Sequence, residues 1–133
     1  MNQKIKTFLM LDGKCEEAMI FYVSLFEDAA VTNIRRYGAG EQGAEGSVMQ
    51  ASFSITGQTF MCVDSAVKHD FTFTPAMSLF VDCADEAEID GLFAKLSEGR
   101  QIFMPLHTYP FSGKFGWLSD RYGVSWQLNW PND

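Results

Sequence analysis

The stretch Thr7–Phe26, TFLMLDGKCEEAMIFYVSLF, decides the fold, because it joins a short apolar run to an amphipathic one across a turn. Thr7 to Leu11 ends on Asp12-Gly13, and an apolar run bounded by turn residues reads as a buried strand. Beyond the turn, Ala18, Phe21, Tyr22, Leu25 and Phe26 fall at i, i+3, i+4, i+7 and i+8, on one stripe of a helix, with Glu16, Glu17 and Ser24 elsewhere. A stripe of that kind has to pack on a sheet, so the segment predicts a strand followed by a covering helix.

The same order returns in the second half. Ala76 to Asp82 is again an apolar run ending in an acid, and Asp85 with Glu88 three residues on forms an aspartate version of the capping box. Ile89, Leu92, Phe93 and Leu96 then occupy i, i+3, i+4 and i+7, with Gly99 where a left-handed residue closes a helix.

Three strands are expected after each helix. In the first half these are Ala30 to Arg36, Val48 to Ile55 and Gln58 to Val63, the last two joined by Thr56-Gly57 in a hairpin. The glycine-rich YGAGEQGAEGS, residues 37–47, reads as a mobile loop between the first two. In the second half they are Gln101 to Met104, stopped by Pro105 with a loop to about Lys114, then Gly116 to Ser119 and Val124 to Asn129 around a turn at residues 120–123. The strand-end acids Asp12 and Asp82 lie 70 residues apart and the turn glycines Gly57 and Gly123 lie 66 apart, which marks an internal repeat. The expected architecture is α+β: one domain over residues 1–133, with βαβββ modules at about 4–64 and 76–130 and a polar linker at about 65–75. Helices would cover one face of a mixed sheet and leave a concave groove on the other.

A chain of 133 residues is long enough for one core, burying roughly two-thirds of its unfolded surface. Apolar residues make up 47%, with twelve Phe, three Trp and seven Met, so a pocket or subunit interface can be built as well as a core. The net charge of −7 argues against nucleic acid, which needs a basic stripe. No run approaches the roughly 18 apolar residues of a membrane span, and no small-residue cleavage site follows the N-terminal MNQKIKTFLML, so the expected location is cytoplasmic. Cys15, Cys62 and Cys83 contain no C-x-x-C pair and read as reduced, buried thiols, and with two His they complete no recognised zinc spacing.

Four segments, FLMLDGKCEEAMIFYVSLF (8–26), GSVMQASFSITGQTFMCVD (46–64), FTFTPAMSLFVDC (71–83) and FGWLSDRYGVSWQLNW (115–130), together resemble the PhnB-like branch of the vicinal-oxygen-chelate superfamily. That superfamily includes glyoxalase I, extradiol dioxygenases and fosfomycin-resistance proteins, and the branch often carries the label 3-demethylubiquinone-9 3-methyltransferase. The resemblance implies paired βαβββ modules, a homodimer, and a divalent metal held by residues on the first and last strand of each half. Aligned on Phe21-Tyr22, Gly57, Asp82 and Gly123, the ligand positions fall on Thr7, Met61, Ala76 and Gln127. A Lewis-acid site needs three or four strong N or O donors, which Thr, Met, Ala and Gln do not supply, so no metal and no cofactor is expected.

Other motifs are weighed the same way. Gly38, Gly40 and Gly43 spell G-x-G-x-x-G, but the run leads into a strand and not a helix, so it is read as no dinucleotide fingerprint. The glycine-rich turn that usually receives S-adenosylmethionine is missing too, which argues against methyl transfer. His69 and His107 fall in expected loops with no visible catalytic partner, and Arg35, Arg36 and Arg121 read as surface charge. Trp126 and Gln127 must face opposite sides of the last strand; with Gln127 toward the groove, Trp126 lies under the helix and Trp117 becomes a pocket wall.

The functional expectation is a small organic ligand, amphipathic or aromatic, bound in the groove by Thr7, Met61, Ser78, Trp117 and Gln127. The activity is either binding alone or, alternatively, that of a lyase, isomerase or oxygenase with a non-standard or absent metal. No catalytic residue is assigned.

Overall fold

The computed structural model describes residues 3–98 and 101–131. In chain order the elements are β1 (Thr7–Leu11), α1 (Cys15–Ser24), β2 (Ala29–Arg36), β3 (Val48–Ile55), β4 (Gln58–Asp64), β5 (Ser78–Asp82), α2 (Glu86–Leu96), β6 (Ile102–Tyr109), β7 (Ser112–Ser119) and β8 (Ser125–Trp130). They fall into two compact units, Met1–Asp70 and Phe71–Asp133. Each unit is a βαβββ module with a four-stranded mixed sheet, in the orders β1-β4-β3-β2 and β5-β8-β7-β6. In each the first strand runs parallel to the last, and the other pairs are antiparallel.

In the first unit α1 covers the face carrying Leu9, Leu11, Ala51, Phe53, Ile55 and Cys62, all buried. The helix is turned relative to the expected stripe: Cys15, Ala18, Met19 and Tyr22 are the buried set, Phe21 is half-buried, and Leu25 and Phe26 lie past the helix end. Asp64 explains the rotation. Its buried carboxylate accepts the Cys15 N–H at 2.9 Å and the Val48 N–H at 3.2 Å, which draws the first turn of α1 inward onto β4. Periodicity finds a helical stripe, but a cross-chain bond sets its phase.

The β3–β4 hairpin turns on Thr56 and Gly57 at φ 48° and 84°, the pattern of a type I′ turn, which suits the twist of paired strands. The β2–β3 loop, expected to be mobile, is hydrogen-bonded at its base, where Tyr37 N–H donates to the Ser47 carbonyl and Gly46 N–H to the Tyr37 carbonyl, both at 2.9 Å.

In the second unit the capping box is present: the Glu88 N–H donates to Asp85 Oδ1 at 2.8 Å, and Glu88 Oε1 accepts the Ala84 N–H at 2.7 Å. Ile89, Leu92 and Leu96 are buried under α2, against the face carrying Leu118, Trp126 and Leu128. Gly116 permits this closeness, since a Cβ there would lie 2.6 Å from the Phe93 ring. Gly99 lies outside the described residues.

Three boundaries differ by two residues or more from the reading of the sequence, the start of β7 at Ser112 and not Gly116 among them. β5 begins at Ser78, so Ala76 and Met77 belong to the preceding turn. β6 runs through Pro105 to Tyr109 and pairs with β7 from Ser112, so residues 105–113 form a hairpin and His107 lies on a strand. Pro105 is tolerated because β6 is the edge strand and the ladder shifts register between Met104 and His107, where a missing N–H leaves no partner unpaired.

Candidate functional site

The candidate site lies on the face of the second sheet that α2 does not cover. On β8 the two-residue alternation sends Trp126 and Leu128 under the helix and Gln127 and Asn129 to the open face. The ladder then selects their neighbours: Gln127 is flanked by Trp117 on β7 and Phe80 on β5, and Asn129 by Phe115 and Asp82. Met104 stands opposite Trp117 on β6, and Phe111 closes the set from the β6–β7 turn. Phe80, Met104, Phe111, Phe115, Trp117, Gln127 and Asn129 line an open cavity of about 440 Å³, within the usual size range of small-molecule pockets.

Its walls are aromatic. Phe111 packs edge-on against Phe115 at 5.1 Å and stacks on Tyr109 at 5.5 Å, Phe80 approaches Phe115 at 6.5 Å, and Phe103 supports Trp117 at 4.9 Å. Phe80 and Phe111 remain 57% and 62% exposed, so this module shows water an apolar surface that its own fold leaves open.

A polar chain runs beneath the rings. The Trp117 indole N–H donates to Ser125 Oγ at 2.9 Å, Ser125 Oγ meets Ser78 Oγ at 2.6 Å, and Gln127 Nε2 donates to Ser78 Oγ at 3.2 Å. Asn129 is held at both ends, its Nδ2 donating to Asp82 Oδ1 at 2.9 Å and its Oδ1 accepting the Ser112 hydroxyl at 2.6 Å. The site is therefore an aromatic frame with two hydrogen-bonded amides.

The β7–β8 turn holds this frame in register through Asp120, a fully buried carboxylate. Its Oδ1 accepts the Tyr122 N–H at 2.8 Å and the Val124 N–H at 3.1 Å, and its Oδ2 accepts the Trp126 indole N–H at 2.8 Å. Fixing Trp126 inward fixes its neighbour Gln127 outward.

Of the five residues singled out from the sequence, the structure brings Ser78, Trp117 and Gln127 together. Thr7 and Met61 lie in the first unit and on opposite faces of its sheet: Thr7 shares the helix-covered face of Leu9 and Leu11, whereas Met61 pairs with Phe8 on the open face. The repeat explains Met61. Phe8 opposite Met61 and Phe80 opposite Gln127 are equivalent pairs, each with its second member four residues after a turn glycine. Phe80, Met104, Phe111, Phe115, Ser125 and Asn129 escaped the sequence reading, although the parity of Gln127 along paired strands points to four of them.

The other groups weighed from the sequence have simpler surroundings. His107 Nδ1 lies 2.8 Å from the Thr108 carbonyl oxygen, and its ring packs edge-on against Tyr109. His69 lies in the exposed connector after β4. Arg36 is held by Glu16 through two bonds of 2.8 and 2.9 Å, and its guanidinium keeps the Glu16 carboxyl below the usual range; Arg121 pairs with Glu98 at 3.2 Å. Cys15, Cys62 and Cys83 are free and buried; burial pushes the Cys83 thiol up to about 12, and a bond from Cys62 together with burial raises Cys15. The raised Cys15 and Cys83 thiols are poor nucleophiles, whereas the bond with Cys15 lowers the Cys62 thiol.

The metal positions implied by the resemblance do not fit a metal. Thr7 is turned to the helix side, Met61 offers a thioether, Ala76 sits in a turn with no donor, and only Gln127 presents an oxygen. Among the described residues no group of three or more His, Cys, Asp or Glu is arranged to hold a metal ion. Gly38, Gly40 and Gly43 lie in the β2–β3 loop, away from any helix start.

Two βαβββ modules with mixed sheets define a glyoxalase-like α+β protein of the vicinal-oxygen-chelate superfamily. The chain belongs to the family described as 3-demethylubiquinone-9 3-methyltransferase, whose family model matches residues 3–129. It is similar to a PhnB protein from Bacillus cereus carrying the same description, at 58% identity and TM-score 0.94 over 96% of this chain and 99% of that one. Protein PA1353 from Pseudomonas aeruginosa is 25% identical with TM-score 0.85, covering 99% of this chain and 100% of its own. A glyoxylase/bleomycin resistance protein/dioxygenase domain from Frankia shares the fold at TM-score 0.66 and 12% identity, with 99% of both chains covered. No curated protein matches.

Proposed function

We propose that this PhnB-like protein binds a small organic molecule on the open face of the second sheet, without the metal used elsewhere in its superfamily. The observation that carries the reading is the cavity itself: aromatic walls left open to water, with the amides of Gln127 and Asn129 fixed among them. Binding alone accounts for these features, since no nucleophile with a base in hydrogen-bond reach stands among the residues lining the cavity. The methyltransferase description of the family draws no support from this geometry, because the glycine-rich segment of the chain opens no helix.

The reading takes the two modules as one domain, working in the cytoplasm as a homodimer that covers exposed apolar side chains such as Ile5, Phe8 and Met77. No helix among the described residues is long and apolar enough to cross a membrane.

A thermal-shift screen of metabolites and divalent metals tests the proposal, because a ligand that binds only the folded state raises the melting temperature by mass action. An aromatic compound is expected to stabilise the protein, with zinc, manganese, iron and nickel leaving it unmoved. A tightly bound metal ion per chain, or metal-stimulated turnover, would favour the lyase, isomerase or oxygenase alternative.

A further inference from the structure

We propose that the groove selects aromatic molecules bearing a positive charge or hydrogen-bond donor, and that Ser78 sets this preference by fixing the orientation of Gln127. This inference rests on the groove being a ligand site, as argued above.

The Gln127 amide gives its Nε2 to Ser78, so its Oε1 is the end left for a guest. The Trp117 N–H, the one donor among the wall rings, is taken by Ser125. Asn129 is engaged at both ends, one of them on the Asp82 carboxylate. Beside the second N–H of each amide, what remains is an amide oxygen, a nearby carboxylate and the negative faces of several aromatic rings. The oxygen, the carboxylate and the ring faces attract a cation or an N–H group and repel an anion, and they outnumber the two amide N–H groups.

Among the described residues of the unit, the cations are held elsewhere. Lys114 alternates with Phe115 on β7 and reaches to the helix side, bonding Glu86 at 3.0 Å and Asp90 at 2.6 Å. Lys95 is carried by α2, and Arg121 is paired with Glu98. Among the described residues no Lys or Arg lines the cavity.

Ser78 is a positioning residue here. Ser125 Oγ accepts the Trp117 N–H and lies 2.6 Å from Ser78 Oγ; with the Ser78 proton given to Ser125, the Ser78 oxygen is left only as an acceptor for the Gln127 N–H. Without it the amide can turn and offer its NH2 instead, and an acceptor-bearing guest would no longer be disfavoured.

Three probes with one ring system separate the effects: 2-naphthylmethylammonium, 2-naphthylmethanol and 2-naphthoate, titrated by calorimetry at neutral pH. The ammonium is expected to bind at least tenfold more tightly than the carboxylate, with the alcohol between them. Ser78→Ala is expected to shrink the ammonium-to-carboxylate ratio by threefold or more while the alcohol changes less than twofold, and Ser78→Thr, which keeps the hydroxyl, to restore the ratio. A purely structural serine would shift all three together. Carboxylate binding equal to or tighter than ammonium binding overturns the inference and leaves the groove standing. Failure of all three probes to bind overturns both. An unchanged ratio in Ser78→Ala removes Ser78 from its role.

Discussion

Asp120→Asn tests the device that aims the last strand. The substitution keeps a carbonyl oxygen for the Tyr122 and Val124 N–H groups but places an NH2 group against the Trp126 indole N–H, where a carboxylate oxygen now accepts at 2.8 Å. A hydrogen bond to a charged acceptor contributes about 1.5–3 kcal/mol, and a buried unmatched donor costs about 1–3 kcal/mol more, so Asp120→Asn should destabilise the protein by about 2.5–6 kcal/mol. Trp126→Phe removes the donor and strands the buried carboxylate oxygen, for a loss of similar size. The double variant sets the new NH2 against a hydrocarbon edge and relieves the donor–donor clash. Its loss should therefore fall short of the sum of the singles by about 1–3 kcal/mol, because the two side chains share one bond. Urea denaturation of all four proteins by far-ultraviolet circular dichroism measures the cycle. Additivity within about 0.3 kcal/mol would refute the bond, and with it the reason that Gln127 faces outward.

Two further predictions use the same logic. Trp126→Ala should cost about 3–5 kcal/mol, whereas Gln127→Ala should cost under about 1 kcal/mol while weakening the binding of an aromatic ligand; urea melts in which Gln127→Ala is the more damaging would reverse the assignment of faces. Thr56→Asn should raise stability by about 0.5–1 kcal/mol, because a β-branched residue at φ 48° is strained whereas Asn-Gly suits a type I′ turn; a lower urea midpoint would contradict that reading.

The repeat, the helices and seven of the eight strands were legible because each rests on a local signal: an apolar period, a capping pair, a turn glycine. β6 was misjudged at its end because Pro105 reads as a stop whenever its place in the sheet is unknown, and only the edge position of that strand makes it harmless. That error hid Phe111 from the site. The phase of α1 was misread for a related reason, since Asp64 acts on Cys15 from 49 residues away and leaves no mark on the helix's own pattern. Ser78, Trp117 and Gln127 could be named from strand parity and the turn repeat. Thr7 follows from counting back from Phe21-Tyr22, a rule that ignores the parity of Leu9 and Leu11 on the same strand. Ser125 was invisible because its role lies in the bonds it makes to Trp117 and Ser78.

The central claim is that ligands enter the open face of the second sheet, and the three tryptophan indole N–H signals in a nitrogen–proton correlation spectrum report on it directly. Trp117 lines the cavity and Trp126 is bonded to Asp120 beneath the sheet, so one titration reads both faces. With 2-naphthylmethylammonium added in steps, the Trp117 signal should move progressively and saturate while that of Trp126 stays in place. Movement of Trp126 with Trp117 fixed, or no movement of either at millimolar probe, would contradict the account.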